Sequence, residues 1–174
     1  KKEYGVEGLL DAFVKLDANF RIKLFGSGPL AARIATESKS DPRIFWGEFV
    51  DRSELAIQIK NSDAVVNPRP SQTRLAAMSS PSKFLEFGAF GKLIITTRLP
   101  TLPLEILRYT VPILDETADG ICESFARARS LGPQQRAKMA KTCQVMMRTE
   151  YSVERLGEAI GIFLATMASD DTIH

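Results

Sequence analysis

The stretch DAVVNPRPSQTRLAAMSSPSKFLEFGAFGKLIIT, residues 63–96, decides the fold class of this chain. Its first residues, Asp63–Asn67, form a short apolar run that stops at a proline, which predicts a buried strand. A loop over Arg69–Ser80 and a helix over Pro81–Phe90 follow, and Lys92–Thr96 is a second apolar strand. Strand, helix and strand in this order predict a βαβ unit, the building block of a parallel sheet.

The same alternation of strands and helices extends over the first two thirds of the chain. The strands are continuous apolar runs, as is typical of strands buried on both faces. We therefore predict an α/β fold, a Rossmann-like doubly wound parallel sheet flanked by helices, with ligands bound beyond the carboxyl ends of the strands. Further strands are predicted over Arg21–Phe25, Arg43–Trp46 and Thr110–Leu114, and further helices over Val6–Leu16, Leu30–Ser38, Ser53–Lys60 (with Ser53 as N-cap), Gly120–Ser130, Pro133–Thr149 and Ser152–Ala168.

Length and composition favour one globular domain. The chain has 174 residues, of which 44% are apolar and 25% charged, close to the average for soluble domains. We expect residues 1–174 to form a single domain with C-terminal helices over 119–168, whose apolar residues, Phe163 among them, lie in the core. Because the chain begins with Lys1, we also expect it to be a piece of a longer protein.

Charge and reactive side chains exclude several classes of protein. The 23 basic and 21 acidic residues give a net charge of only +2, which argues against a nucleic-acid partner. Cys122 and Cys143 lie far apart without metal-ligand spacing, so no metal is expected. The single histidine is His174, so a histidine base would have to come from outside this chain. Reduced cysteines and the lack of a signal peptide or long apolar run predict a cytoplasmic protein.

Two segments have the composition of an anion-binding site. Gly26-Ser27-Gly28-Pro29 joins a strand to a helix, where the backbone at Gly28 can approach a ligand closely, although an ordinary tight turn has the same sequence. Ser82 and Lys83 open a helix, and Lys83 places a positive charge where the helix dipole disfavours one. That choice suits a diphosphate, and the Glu86 carboxylate one turn on can accept two ribose hydroxyl hydrogen bonds. Lys83 and Glu86 can equally form a surface ion pair.

Two further candidates follow predicted strand ends. Arg69 lies between two prolines that stiffen its loop, so its guanidinium can be aimed at a phosphate, or it can be an exposed loop arginine. Phe49 and Val50 can flank a nucleotide base, although a hydrophobic staple for the next helix is the simpler interpretation of the local sequence.

The order and spacing of four segments resemble the C-terminal domain of GT-B glycosyltransferases of family 4, glycosyl transferases group 1. The versions found here are most similar to enzymes of capsular and surface-polysaccharide assembly, and the resemblance covers nearly the whole chain. The segments are Leu24–Leu30 (LFGSGPL), Phe45–Val50 (FWGEFV), Ser62–Pro70 (SDAVVNPRP) and Pro81–Lys92 (PSKFLEFGAFGK).

The resemblance implies a retaining transferase that moves a sugar from a UDP- or GDP-linked donor to a glycan or lipid-linked acceptor. In this family the C-terminal domain holds the nucleotide-sugar, and an N-terminal domain, absent from this chain, holds the acceptor and supplies a histidine. No metal or other cofactor is required, and no catalytic residue is expected in this chain. Membrane association at the inner face is compatible with the resemblance. The implied donor-binding residues are Gly28, Phe49, Val50, Arg69, Ser82, Lys83 and Glu86.

The sequence departs from the family pattern in three places. Met78 stands where the family often has a second glutamate, and Tyr4-Gly5 stands where it often has a Lys-Gly pair. The strand that usually precedes this pair is missing, although it is central in a doubly wound order. We therefore do not expect a gapless sheet of five strands. Met78 and Tyr4 keep a non-catalytic glycosyltransferase-like module open as an alternative, and half of a nucleotide-sugar epimerase is another.

Overall fold

The structure of this protein is a computed structural model that describes residues 4–79 and 82–170, with side chains through residue 166 in the last helix. Helices and strands alternate up to residue 113, and three longer helices follow. The helices are α1 Val6–Lys15, α2 Ala31–Ser40, α3 Arg52–Lys60, α4 Arg74–Met78, α5 Ser82–Ala89, α6 Leu104–Leu107, α7 Ala118–Ser130, α8 Pro133–Thr149 and α9 Val153–Asp170, and the strands are β1 Ile22–Phe25, β2 Ile44–Gly47, β3 Ala64–Asn67, β4 Leu93–Thr97 and β5 Val111–Ile113.

All strand pairs are parallel, which confirms the predicted α/β fold class. β1 pairs with β2, and Ile22 stands opposite Ile44. β3, β4 and β5 form a second sheet in that order, with Asn67 opposite Thr96 and Thr97 opposite Ile113. The structure thus has the Rossmann-like arrangement of parallel strands connected by helices.

Helices cover both faces of the three-stranded sheet, and β4 is buried at every position. Leu93 and Ile95 point to a core formed with α1 and α7, whereas Ile94 points to a second core formed with α5 and α8. Because successive strand residues face opposite sides, a strand buried on both faces needs an unbroken apolar run. The first core includes Leu9, Phe13, Ile22, Ile44, Ile121 and Phe125, and the second includes Ile59, Val65, Phe84, Ile106, Cys143 and Met147.

The five described strands do not form one continuous sheet. β1 and β3 both contribute to the first core, through Ile22, Leu24 and Val66, yet they belong to different sheets. This discontinuity agrees with the expectation that the five strands do not form a gapless sheet. Residues 1–3 lie outside the described part of the chain.

Four local predictions are corrected by the structure. The predicted loop 69–80 contains the short helix α4, because the Thr73 side chain accepts a hydrogen bond from the Ala76 N–H and caps its start. The helix α6 was likewise not predicted. Asp51, and not Ser53, is the N-cap of α3, since its carboxylate accepts from the Glu54 N–H. Phe163 is 62% exposed, so it is not a core residue.

Gly5 is the point at which α1 meets the end of β3. Its φ of +69° is in the left-handed region that favours glycine. A Cβ placed on Gly5 would also overlap the carbonyl oxygen of Pro68, the residue that follows β3. Two independent constraints therefore require a glycine at the start of α1.

Replacing Gly5 by Ala should lower the free energy of unfolding by more than about 3 kcal/mol, because backbone strain and steric overlap add. Urea denaturation followed by circular dichroism measures this change. Gly132→Ala is the matched control: a Cβ there meets nothing within 4 Å, and its φ is −63°. The control should change stability by less than about 1 kcal/mol. Equal effects of the two substitutions would contradict the steric argument.

Candidate functional site

The start of α5 presents three of the predicted residues to solvent. Ser82 and Lys83 form the first turn, and Glu86 lies one turn further on, all exposed. The first N–H groups of a helix have no partner within it, and groups of this kind can bind an anion. Lys83 and Glu86 form no ion pair with each other in the described part of the chain. The surface-pair interpretation is therefore not supported, and both charges are available to a ligand.

The orientation of α5 follows from its buried face. Phe84 is fully buried in the second core, and Gly88, one turn on, lies against α8. A Cβ on Gly88 would come within 2.6 Å of Met147 Cγ, so glycine permits this close helix packing. Because Phe84 and Gly88 point inward, Lys83 and Glu86 point outward on the opposite side.

Arg69 is not the exposed loop arginine that one interpretation of the sequence offered. Its side chain is only 4% exposed, and one guanidinium nitrogen, Nη2, donates to the Leu75 carbonyl at 2.6 Å and to Ser79 Oγ at 2.9 Å. Its Nε is buried without a hydrogen-bond partner. In the described structure no carboxylate lies within 4 Å of this guanidinium. Arg69 is therefore a buried charge without a counter-charge beside it.

A chain of buried polar groups, which sequence reasoning missed, connects β3, β4 and the loop that follows β3. The Asn67 amide donates to Thr96 Oγ1 at 3.0 Å, and Thr97 Oγ1 donates to the Arg69 carbonyl at 2.5 Å. Thr96 and Thr97 are at most 1% exposed. The sequence signal that could have revealed these groups is an Asn or Thr at the carboxyl end of an otherwise apolar strand. A buried polar side chain at such a place needs a hydrogen-bond partner.

The glycine loop and the segment with the predicted base-flanking residues are joined by backbone hydrogen bonds. The Gly26 N–H donates to the carbonyls of Gly47 and Glu48, at 3.1 and 2.5 Å. Gly26 has a φ of +122°, and nothing lies within 4 Å of a Cβ placed on Gly26 or Gly28. Here glycine is required for its backbone conformation, and the space beside this loop is open.

Phe49 has the exposure expected of a binding residue rather than of a packing residue. Its ring is 89% exposed, so it is not a hydrophobic staple for α3. Val50, beside it, is half-buried. A single exposed aromatic ring is common on protein surfaces, and it can stack on a planar ligand.

The predicted residues fall into two groups. Gly28, Phe49 and Val50 belong to the loops after β1 and β2, whereas the loop after β3 and the start of α5 carry the others, namely Arg69, Ser82, Lys83 and Glu86. Within the second group, the hydrogen bond between Arg69 and Ser79 lies in the connection between β3 and α5. The described contacts include none between the two groups. Met78, at the end of α4, is 70% exposed.

Thiol and metal chemistry find no support in the described residues. Burial raises the pKa of the Cys143 thiol to about 11, and the pKa of Cys122 is also raised, chiefly by burial. A raised pKa leaves little thiolate at neutral pH, so neither cysteine is an activated nucleophile.

No cluster of three metal-ligating side chains occurs in the described part of the chain. Likewise, none of its helices is both long and apolar enough to span a membrane.

Comparison with solved structures identifies the fold. No protein-family model and no curated protein sequence matches this chain. HepE of Anabaena, crystallised with UDP-glucose, superposes with a TM-score of 0.75 at 14% identity, over 95% of this chain and 46% of that one. Sucrose-phosphate synthase of Thermosynechococcus elongatus gives 0.77 at 15% identity, over 98% and 44%. These similarities show a shared GT-B, Rossmann-like fold.

A third structure matches over most of its own length. It is the C-terminal domain of LpcC, a glycosyl transferase group 1 family protein of Francisella tularensis. The TM-score is 0.68 at 18% identity, over 88% of this chain and 82% of that domain. This chain therefore spans about half the length of the two enzymes above and most of a single C-terminal domain.

Replacing Thr97 by Val should destabilise the fold by about 1–2 kcal/mol, because the Arg69 carbonyl loses its buried hydrogen-bond donor while the packing volume stays nearly constant. Thermal unfolding measures this loss. Thr36→Val is the control, since the Thr36 hydroxyl donates to the Ala32 carbonyl on an exposed helix face. The control should cost less than about 0.7 kcal/mol. A Thr97→Val variant as stable as the wild type would refute a structural role for this bond.

Proposed function

We propose that this chain is the donor-binding domain of a retaining glycosyltransferase of family 4. Its role is to hold a UDP- or GDP-linked sugar for transfer to a glycan or lipid-linked acceptor in surface-polysaccharide assembly. The observation that carries this proposal is the exposed start of α5, where Ser82, Lys83 and Glu86 lie on one side of a helix that is anchored in the core.

The chemistry of α5 matches the two polar parts of a nucleoside diphosphate. The backbone N–H groups of Ser82 and Lys83, with the Lys83 ammonium, would neutralise a diphosphate without a metal ion. The Glu86 carboxylate, which only accepts hydrogen bonds, would bind the two ribose hydroxyl groups. The one-turn separation of Lys83 and Glu86 suits the diphosphate and ribose, which are adjacent in the nucleotide.

The second group of residues would hold the base. Phe49 is exposed, Val50 is half-buried, and the open space beside Gly28 lets a ligand approach the backbone. Stacking on an exposed aromatic ring is favourable for any base, so this arrangement does not choose between UDP and GDP. The similarity of fold to a structure containing UDP-glucose supports a uridine nucleotide as the first probe.

The remaining parts of the proposal concern the whole enzyme. An N-terminal domain would bind the acceptor and supply the histidine near the reaction centre, because the described part of this chain contains none. The domain would act in the cytoplasm, or at the inner face of the membrane when the acceptor is lipid-linked. No metal, other cofactor or nucleic acid is part of the proposal.

One observation favours a second function, that of a non-catalytic glycosyltransferase-like module. Met78 occupies the position where the family often has a glutamate near the sugar ring, and it is 70% exposed. A thioether cannot accept strong hydrogen bonds from sugar hydroxyls. A module of this kind would bind the nucleotide and fail to discriminate among the attached sugars.

Calorimetric titration should show that the wild-type chain binds UDP or GDP with a dissociation constant of about 0.1–1 mM, a weak affinity that fits one half of a site. UDP-glucose binding tighter than UDP would support recognition of the sugar. Equal affinities would favour the non-catalytic module. A folded chain that binds neither nucleotide at millimolar concentration would refute the proposed function.

Replacing Glu86 by Gln should weaken UDP binding about 10-fold or more, since hydrogen bonds to a carboxylate are worth about 1.5–3 kcal/mol. Binding of inorganic pyrophosphate, which has no ribose, should be unchanged or slightly tighter. Glu123→Gln, an exposed carboxylate on α7, is the matched control and should affect neither ligand. An equal loss for UDP and pyrophosphate would remove the ribose role from Glu86.

A further inference from the structure

Arg69 differs from the other predicted site residues because its side chain is already engaged within the protein. It is 4% exposed, whereas Ser82, Lys83 and Glu86 are exposed. Its Nη2 is shared between a backbone carbonyl and a hydroxyl, at Leu75 and Ser79. For Nη2 to bind a phosphate directly, it would have to leave these two buried partners, which is unfavourable for a charged group.

The partners of Arg69 are the two ends of one structural unit. Leu75 is the second residue of α4, and its carbonyl accepts the hydrogen bond from the Arg69 guanidinium. Ser79 is the C-cap of the same helix, and its N–H also donates to the Leu75 carbonyl, at 3.1 Å. The guanidinium of Arg69 therefore closes the end of α4, as basic side chains often do.

The loop that Arg69 closes is held by a threonine side chain at each end, one from β4 and one from the turn that follows β4. At its start, Thr97 Oγ1 donates to the Arg69 carbonyl at 2.5 Å. At its end, Thr101 Oγ1 contacts the Ser79 carbonyl at 3.4 Å. Ser79 precedes the first residue of α5, Ser82, by only three positions. The position of Ser79 thus constrains where the exposed turn of α5 can begin.

We infer that Arg69 is a positioning residue: its guanidinium binds Leu75 and Ser79 and thereby fixes the start of α5, rather than contacting the diphosphate itself. The expected effect of Arg69 on UDP binding rests on the proposed function. The expected effect of Arg69 on the position of α5 rests only on the contacts described above. It differs from the role that the sequence resemblance implies for Arg69, which is direct donor binding.

A positioning role and a charge role predict different effects of lysine. Lysine keeps the positive charge, but its single nitrogen on a flexible stem cannot reproduce the geometry of the planar guanidinium. If geometry matters, Arg69→Lys and Arg69→Gln should weaken UDP binding by a similar factor, about tenfold. If charge alone matters, Arg69→Lys should bind UDP like the wild type.

The chain provides a matched control in Arg127. One of its guanidinium nitrogens, Nη2, donates to the Pro112 carbonyl at 2.6 Å, and its Nε is buried without a partner. Pro112 is in β5, outside both groups of candidate site residues. Arg127→Lys should therefore cost comparable stability and leave UDP affinity unchanged.

The test combines calorimetry with NMR spectra of the ligand-free proteins, after circular dichroism has confirmed folding. In Arg69→Lys, the amide signals of Ser79, Ser82 and Lys83 should shift and their hydrogen exchange should accelerate, while signals from β1 and β2 remain unchanged. Ser79→Ala, which removes one acceptor and is a milder change, should shift the same signals by a smaller amount.

Two results would overturn the inference. One is wild-type UDP affinity in Arg69→Lys, which would assign the effect to charge. The other is weakened UDP binding with unchanged Ser82 and Lys83 amide signals, which would show that Arg69 contacts the nucleotide directly. The ligand-free spectra keep this test separate from the proposed function. A wild-type chain that fails to bind UDP would refute the donor site, and the amide signals would still decide whether Arg69 positions α5.

Discussion

The buried hydrogen bond from Thr97 Oγ1 to the Arg69 carbonyl is the contact on which the candidate site depends. It ties the central strand of the three-stranded sheet to the loop after β3, at a place where both groups are shielded from water. A buried carbonyl without a donor is costly, so this bond fixes the direction in which the loop leaves the sheet. The Arg69 side chain in turn binds Ser79 and so constrains the start of α5.

The two apolar cores explain how a small domain can present its polar loops reliably. One core joins residues of both sheets through α1 and α7, and the other anchors α5 through Phe84 and α8. The geometry of these loops is set by the strands and helices that they connect. Rigid packing on both sides of β4 thus determines where Lys83 and Glu86 lie.

Sequence reasoning recovered the fold because the central strand β4 is buried at every position, and its apolar run Leu93–Ile95 is visible in the sequence. It missed α4 because a five-residue helix has too few turns to show a period, and only Thr73 marks its start. It identified Arg69 as a site residue but not its burial, since the direction of a side chain depends on packing that no local pattern encodes. It placed Phe163 in the core because an amphipathic pattern shows that a helix has an apolar face without showing what covers it.

The exposure of α9 has an evolutionary consequence. Every side chain described in this helix is exposed, including Val153, Leu156 and Phe163, at 83%, 61% and 62%. Substitution of these residues by polar ones would cost the described domain almost no folding energy, because little apolar surface is buried there. Selection for the stability of this domain therefore cannot maintain them, and mutational drift would be expected to replace them. If homologues keep large apolar residues at these positions, selection must act on something other than the folding of this domain.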